Sequence, residues 1–199
     1  MDGLSHQERV AVARLRALLE LLPVALDRHL VEAGITSFEF TLLEALHEDA
    51  EARLRLSVLA ARTNATLPRL SRVVTSLERK GLVTRTPCPQ DARATNATLT
   101  AAGETAYRHA RPLYETAVRR LVLDGLGDDG ASRLAELAYA MLTRLDPARR
   151  LAVTADADCP ADPAPCPADP EPCPADPAPR EPSCPADPAA RATPPKAAP

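Results

Sequence analysis

Leucines recur every three or four residues near the start of the chain, which is the spacing of one apolar helix face. They are Leu15, Leu19, Leu22, Leu26 and Leu30. The pattern predicts a long helix over residues 5–33, with Gly34 as a C-terminal cap. Pro23 lies inside this helix, and we expect it to kink the helix or split it in two because proline has no amide hydrogen.

After Gly34 the apolar spacing changes several times, which predicts a series of shorter elements. Thr36 or Ser37 is expected to cap the first of them with a side-chain oxygen. The first four elements are a helix ending near Asp49, an extended stretch at 53–56, a helix at 58–63 capped by Ser57, and a helix from about Thr66 to Gly81. They are followed by strands at 82–86 and 95–99, a helix at 101–123 capped by Thr100, and a helix at 128–149. This order predicts a mainly α-helical fold in which a helix-turn-helix is followed by a small β-wing, with longer helices on both sides.

The helix predicted at 66–80 has two different faces. Its apolar stripe consists of Leu67, Leu70, Val74 and Leu77. A polar row of Arg69, Arg72, Ser76 and Arg79 lies opposite, with Ser71 and Thr75 beside it. Arginine can fork onto guanine in a major groove, hydroxyl groups can bond bases or phosphates, and the helix start near Thr66 can present amides to a phosphate. The alternative is a solvated amphipathic helix.

Charge is distributed unevenly along the chain. The net charge of the 199 residues is −3, but residues 151–199 hold eight acids and three bases, whereas Arg53 to Arg93 hold nine bases and two acids. The second segment therefore has a local charge of +7, which is typical of a nucleic-acid-binding surface. A solvated basic face is the other interpretation. Arg53, Arg55, Arg62 and Arg85 are candidate phosphate contacts.

A basic residue is predicted near the tip of the wing. Arg93 lies there, and such an arm can enter a minor groove, where narrow A·T-rich DNA attracts arginine. Asp91 is close enough in sequence to pair with Arg93 and orient its guanidinium.

Other classes of protein are excluded or disfavoured by the same sequence. Charged residues interrupt the longest apolar stretch, so no transmembrane helix is expected, and no signal peptide is visible, which favours the cytoplasm. We find no nucleophile–base pair, glycine-rich phosphate loop or metal-ligand spacing, so neither an enzyme nor a resident cofactor or metal is expected.

Four short motifs together resemble the MarR family of bacterial winged-helix regulators. In order they are Arg69-Leu70-Ser71-Arg72-Val73-Val74, Leu77-Glu78-Arg79-Lys80-Gly81-Leu82-Val83, Asp91-Ala92-Arg93-Ala94 and Leu99-Thr100-Ala101-Ala102-Gly103. The resemblance covers roughly residues 5–147. Ala92 departs from it, because many members have a second basic residue at the middle position of the wing motif.

The resemblance implies a homodimeric transcriptional regulator, favoured as a ligand-responsive repressor, that binds a near-palindromic double-stranded DNA operator. It divides the chain into an N-terminal dimerisation helix region at 1–35, a winged helix-turn-helix DNA-binding lobe at 36–100 and C-terminal dimerisation helices at 101–150. The implied DNA-binding residues are Thr66, Arg69, Ser71, Arg72, Thr75 and Ser76 on the recognition helix, and Arg85, Asp91 and Arg93 in the wing. A small aromatic or anionic effector is implied as a further partner. Its candidate contacts are Arg28, His29, Tyr107 and His109, although an ordinary interface role is the favoured interpretation for each.

Residues 151–199 form a separate proline-rich tail, which we expect to be disordered. Its cysteines, Cys159, Cys166, Cys173 and Cys184, each begin a Cys-Pro-Ala-Asp-Pro unit, and no Cys-x-x-Cys pair occurs. The tail leaves an alternative function open, in which the chain is a winged-helix protein-interaction module that acts through this segment. Repeat expansion without a selected function, thiol sensing and soft-metal capture are open for the cysteines.

Overall fold

The helices and strands follow the predicted order in a computed structural model, which describes residues 3–88 and 91–154, without the side chains of residues 91–93. These residues all belong to one compact unit. The six helices of the described part are α1 (His6–Leu30), α2 (Ser37–His47), α3 (Leu56–Arg62), α4 (Leu67–Arg79), α5 (Ala101–Val118) and α6 (Gly130–Leu145). Its three strands are β1 (Arg53–Arg55), β2 (Val83–Cys88) and β3 (Asp91–Leu99).

Helix α1 continues through Pro23, so the proline does not split it in two, and the alternative of a kink stays a prediction. Its start is fixed by a capping box in which the Ser5 side chain and the Glu8 carboxylate bond each other's backbone amides. A short 3₁₀ turn, Val31–Ala33, follows the helix, and Gly34 ends it at a φ of 67°, as its cap role requires.

The boundaries of the central elements differ from the prediction where a strand leads directly into a helix. Arg55 ends β1 with extended dihedral angles, and α3 begins at the next residue, so the predicted cap at Ser57 is wrong. The short turn from α3 to α4 passes through Asn64 at a φ of 53°, which asparagine tolerates better than most residues.

The sheet is antiparallel and has the order β1-β3-β2. Arg53 lies opposite Thr98 in the first pair, and Val83 lies opposite Leu99 in the second. Strand β3 begins at Asp91 rather than at Thr95, because the polar segment before Thr95 continues the pairing toward the tip of the hairpin. The result is a hairpin wing with β1 added to one edge.

Helix α5 is seated tightly on the end of the wing. The Thr100 side chain accepts a hydrogen bond from Gly103 N at 3.0 Å, which caps the helix as predicted, and donates to Leu82 O at 3.0 Å. A Cβ added to Gly103 would lie 2.1 Å from Leu82 O, so this close approach requires glycine.

One hydrophobic core joins α2, α3 and α4 to the sheet and to α5. Phe40 is fully buried and stacks on Tyr107 and Tyr114, with ring centroids 5.5 and 4.2 Å away. The largest other fully buried side chains are Leu30, Leu42, Leu43, Leu46, Leu59, Leu70, Leu77, Val74 and Val83.

Helices α1 and α6 carry large apolar side chains that the described part of the chain leaves exposed. On α1 they are Val12, Leu15, Leu18, Leu19, Leu21 and Val24, and on α6 they are Leu134, Leu137, Tyr139, Met141 and Leu145. Exposed apolar surface on this scale typically marks a protein–protein interface. Among the described helices, none is long and apolar enough to cross a membrane.

Candidate nucleic-acid interface

Helix α4 separates an apolar face from a basic one. Leu70, Val74 and Leu77 are completely buried, whereas Arg69, Ser71 and Arg72 are exposed. Thr66 precedes the helix with an extended backbone, and its hydroxyl makes no capping bond. Pro68 lies in the first turn, where its missing amide costs little. The start of α4 therefore exposes Arg69, Ser71 and Arg72 together with the backbone amides of its first turn.

Two of the arginines on α4 lie along the helix surface. The Nε of Arg72 donates to Pro68 O and that of Arg79 donates to Thr75 O, each at 3.4 Å and four residues back. These bonds are long, and they engage Nε rather than the terminal nitrogens. The ends of both side chains remain exposed to solvent.

Arg69 instead packs on an aromatic ring. Its guanidinium carbon lies 4.2 Å from the ring centroid of Phe38, which belongs to the first turn of α2. This is a cation–π distance, so the ring attracts and positions the charge. No role in binding was predicted for Phe38 from the sequence.

Arg85 connects the wing to α4. Its Nη2 donates to Ser71 O at 2.7 Å and to Thr75 Oγ1 at 3.1 Å, and its Nη1 lies 3.3 Å from Glu78 Oε2. The Thr75 hydroxyl also donates to Ser71 O at 3.0 Å. The guanidinium of Arg85 thus braces α4 against β2 in this structure, and its predicted phosphate contact stays a prediction. Thr75, which is half-buried, belongs to the same brace.

Ser76 faces α2 rather than solvent. Its hydroxyl donates to Glu39 Oε1 at 3.0 Å, and Lys80 Nζ lies 2.7 Å from Glu39 Oε2 and 3.0 Å from Gly34 O. Ser76 therefore interrupts the predicted polar row between Arg72 and Arg79, because its hydroxyl is directed at the buried carboxylate of Glu39. The hydroxyl of Ser76 positions α4 in this structure.

Glu39 is the buried centre of this cluster. Its side chain is 5% exposed, and it also accepts from Thr36 N at 2.9 Å in a capping box. Burial by itself raises the pKa of Glu39, but hydrogen bonds from Lys80, Thr36 and Ser76 together hold that pKa below its ordinary value of 4.5. The carboxylate is therefore charged at neutral pH. The Thr36-x-x-Glu39 pattern could have revealed the cap from sequence, but not the contacts with α4.

The tip of the wing is described only in part. The backbone pairs Cys88 with Asp91 after an irregularity between Pro87 and Cys88. The side chains of Asp91 and Arg93, and the ion pair predicted between them, lie outside the described residues. Cys88 is buried, and its Sγ accepts a hydrogen bond from Arg55 Nη2 at 3.2 Å.

The other basic side chains near the wing have neighbours within the fold. Arg53 forms an ion pair with Glu51, Arg55 reaches Cys88, and Arg62 is half-buried at the end of α3. These three arginines add positive charge to the DNA-binding lobe, but not all of their guanidinium groups point into solvent.

In the described part of the chain, no hydrogen bond, ion pair or ring contact joins the four residues predicted to line an effector pocket. Tyr107 is 3% exposed and belongs to the core, whereas Arg28, His29 and His109 are exposed. The ring of Tyr107 instead lies 4.5 Å from that of His47. His47 Nδ1 is 2.8 Å from Glu104 Oε2, and this hydrogen bond holds the pKa of Glu104 below its ordinary value. Sequence analysis had assigned no role to His47 or Glu104.

No group of three or more potential metal ligands occurs among residues 3–88 and 91–154. The fold and the basic helix beside a wing define the class of the protein, which is a winged helix-turn-helix protein.

Comparisons with known proteins identify the family. The MarR family model matches residues 33–94. Sco3205 of Streptomyces coelicolor, a MarR family transcriptional regulator solved in complex with DNA, is 33% identical over 75% of this chain and 97% of its own, with a TM-score of 0.70. AbsC, a MarR family regulator from the same organism, is 28% identical over 74% of this chain and 99% of its own, with a TM-score of 0.69. Among curated proteins, none matches the chain.

The chain belongs to the MarR family of transcriptional regulators. A third solved relative, MOSR of M. tuberculosis in complex with DNA, is 29% identical over 71% of this chain and 98% of its own, with a TM-score of 0.58. Members of this family are generally DNA-binding proteins without enzymatic activity.

Proposed function

We propose that this protein regulates transcription by binding a specific near-palindromic duplex as a homodimer, with α4 in the major groove. The exposed Arg69, Ser71 and Arg72 at the start of α4 are the observation that carries the proposal. Arginine forks onto guanine O6 and N7, and the amides near Thr66 suit a phosphate. The relatives solved with DNA support this function over a protein-interaction module that acts through the tail.

Within this proposal the predicted DNA-binding residues have two roles. Thr66, Arg69, Ser71 and Arg72 contact DNA, whereas Thr75, Ser76 and Arg85 hold α4 in place through the bonds described above. Asp91 and Arg93 remain the proposed wing contacts, through the minor groove. Arg79 is exposed and adds positive charge farther along the helix.

The exposed apolar faces of α1 and α6 support the homodimer. Two copies that bury these faces against each other would present two α4 helices on one side of the assembly. Recognition helices of such dimers lie about 34–36 Å apart, or one turn of DNA. Two symmetric half-sites follow from that geometry.

The remaining parts of the proposal concern regulation and context. We infer a cytoplasmic repressor without enzymatic activity or a resident cofactor, from which a small aromatic or anionic ligand releases the DNA. The exposed Arg28, His29 and His109 are candidate contacts for an anionic ligand. Tyr107 would have to leave the core to reach one.

A binding titration tests the proposal directly. The purified chain is titrated against the DNA upstream of its own coding region, at two salt concentrations and with unrelated DNA as competitor. We expect tight binding that resists the competitor and weakens at high salt, because phosphate contacts release counterions. The double variant R69A/R72A should lose at least about tenfold in affinity, since one bidentate base contact is worth about 1–3 kcal/mol.

The matched control is R108A on α5. Arg108 is exposed and pairs only with Glu104 four residues earlier, so its loss should leave both folding and DNA affinity nearly unchanged. If a folded R69A/R72A variant binds as tightly as the wild type, α4 is not the DNA-contacting helix.

A further inference from the structure

The first turn of α2 is held rigidly on two sides. Thr36 Oγ1 accepts from Glu39 N at 3.2 Å, and Glu39 Oε2 accepts from Thr36 N at 2.9 Å, which closes the capping box. The neighbouring Ser37 donates to Asp27 Oδ1 of α1 twice, from its amide at 2.7 Å and from its hydroxyl at 2.6 Å. Phe38 lies between these two sets of bonds, and the adjacent Glu39 also accepts from Ser76 of α4 at 3.0 Å, so this turn is tied to both α1 and α4.

The ring of Phe38 is itself a supported surface. The side chain is half-buried and packs against the hydrophobic core. The guanidinium of Arg69 lies on the outer side of this ring, 4.2 Å from its centroid. A fixed aromatic ring therefore carries a charged group that remains exposed to solvent.

Arg69 differs in this respect from the other arginines around α4. Arg85 donates from Nη2 to Ser71 O and to Thr75 Oγ1, and Arg72 donates from Nε to Pro68 O. In the described part of the chain, no hydrogen bond occupies the guanidinium of Arg69. A cation–π contact uses the charge and the ring face, so the donors of Arg69 stay available to a partner.

We propose that Phe38 is a specificity-determining residue that positions Arg69 to fork onto a guanine in each half-site. This inference rests on the proposed DNA-binding function and identifies the contact that contributes most to its base selectivity. A long side chain that is ordered before binding loses less rotamer freedom when it binds. Bidentate contact with O6 and N7 also demands one orientation of the guanidinium. Phe38 supplies that orientation without touching DNA.

The test compares base preferences rather than affinity alone. The full-length wild type and each variant are used to select duplexes from a library with a randomised central region, and the selected sequences are counted by position. The variants are F38L, which keeps an apolar side chain without a ring, F38Y, which keeps the ring, R69A, and the double variant F38L/R69A.

We expect F38L to relax the guanine preference at one symmetry-related pair of positions, which is the same pair that R69A relaxes. Affinity of F38L for the wild-type consensus should fall about fivefold, since the Arg69 side chain in each half-site is then no longer ordered before binding and loses more rotamer freedom when it binds. The double variant should bind no more weakly than R69A. F38Y should retain both the guanine preference and the affinity.

A salt series separates positioning from general damage. Phe38 makes no phosphate contact, so the slope of log affinity against log salt should be the same for F38L and the wild type. Thermal unfolding shows whether F38L remains folded at the temperature of the assay. If it does not, F38M takes its place in the same comparison, because the unbranched methionine side chain adapts to an irregular gap.

The outcomes distinguish this inference from the proposed function. If the wild type selects a consensus and folded F38L keeps its guanine preference at every position, the positioning role is wrong. If F38L lowers selection evenly at all positions, or if F38L and R69A have additive effects, Phe38 acts only on the fold. If the wild type selects no sequence at all, the proposed function fails, and the inference fails with it.

Discussion

Single side chains at the base of α4 decide how the basic face is presented. Sequence periodicity placed Arg69, Arg72 and Ser76 in one row, and helical spacing alone allows nothing finer. In the structure the Ser76 hydroxyl donates to Glu39, whereas the Arg72 side chain is exposed. Glu39, Lys80 and Phe38 could not be assigned from sequence, because their contacts join segments about 30–40 residues apart, and local pattern does not specify which side chains meet at that separation.

A prediction at the residue scale concerns the buried carboxylate. E39Q should lower the free energy of unfolding by about 1–3 kcal/mol at neutral pH. The reason is that Lys80 and Ser76 both donate to the buried carboxylate, and the variant replaces that charged group with a neutral amide. Chemical denaturation of the full chain measures this loss. E48Q is the matched control at the C-cap of the same helix, because Glu48 is exposed.

The same carboxylate gives a pH dependence with a defined sign. The pKa of folded Glu39 lies below the ordinary 4.5, so ionised Glu39 stabilises the fold above that pH, and its contribution is lost as pH falls through the lower folded value. The stability difference between wild type and E39Q should therefore shrink as the pH is lowered from neutral to below 4.5. A difference that stays constant over this range would show that Glu39 is not stabilised as an anion.

Element boundaries were predictable where a single residue type marks them. Thr36 and Thr100 cap their helices as expected, and Gly34 has the left-handed conformation. The start of α3 was not predictable, since Ser57 is a good cap but β1 already occupies the residues before Leu56. The last helix is also shorter than expected, from Gly130 to Leu145, although apolar spacing favoured its extension.

At the scale of elements, a substitution at Gly103 tests the contact between α5 and the wing. G103A should destabilise the protein by about 1–3 kcal/mol or more, because an added Cβ would lie 2.1 Å from Leu82 O and 2.7 Å from Leu99 Cδ1. The melting temperature should fall by at least several degrees. G125A is the control, since a Cβ at Gly125 meets nothing within 4 Å. Equal melting temperatures for the two variants would mean that α5 is not seated as described.

The whole molecule presents more apolar surface than one chain covers, and this feature was visible in the sequence as leucine stripes on the outer helices. The fold class followed from the order of those stripes, the short central helices and the two strands. What the stripes pack against could not be specified, because periodicity identifies an apolar face but not its partner.

A substitution that introduces a charge on this surface tests whether the chain dimerises through it. Leu137 on α6 is 65% exposed in the single chain, so L137E should leave the fold of each protomer intact. It should convert the dimer to monomers and weaken operator binding by at least tenfold, since a buried carboxylate at the interface costs several kcal/mol. Sedimentation velocity measures the mass of the species, with S132E, an exposed position on the same helix, as control. A dimer that survives L137E would show that this part of α6 is not at the interface.

The measurement that tests the central claim most directly is a hydroxyl-radical footprint of the full chain on the DNA to which it binds most tightly. If two α4 helices enter the major groove from one dimer, protection should appear in two symmetric segments about one helical turn apart, roughly 34–36 Å. The R69A/R72A variant should lose both segments at the same protein concentration. Protection that spreads evenly along the duplex, without symmetry or sequence preference, would contradict the account.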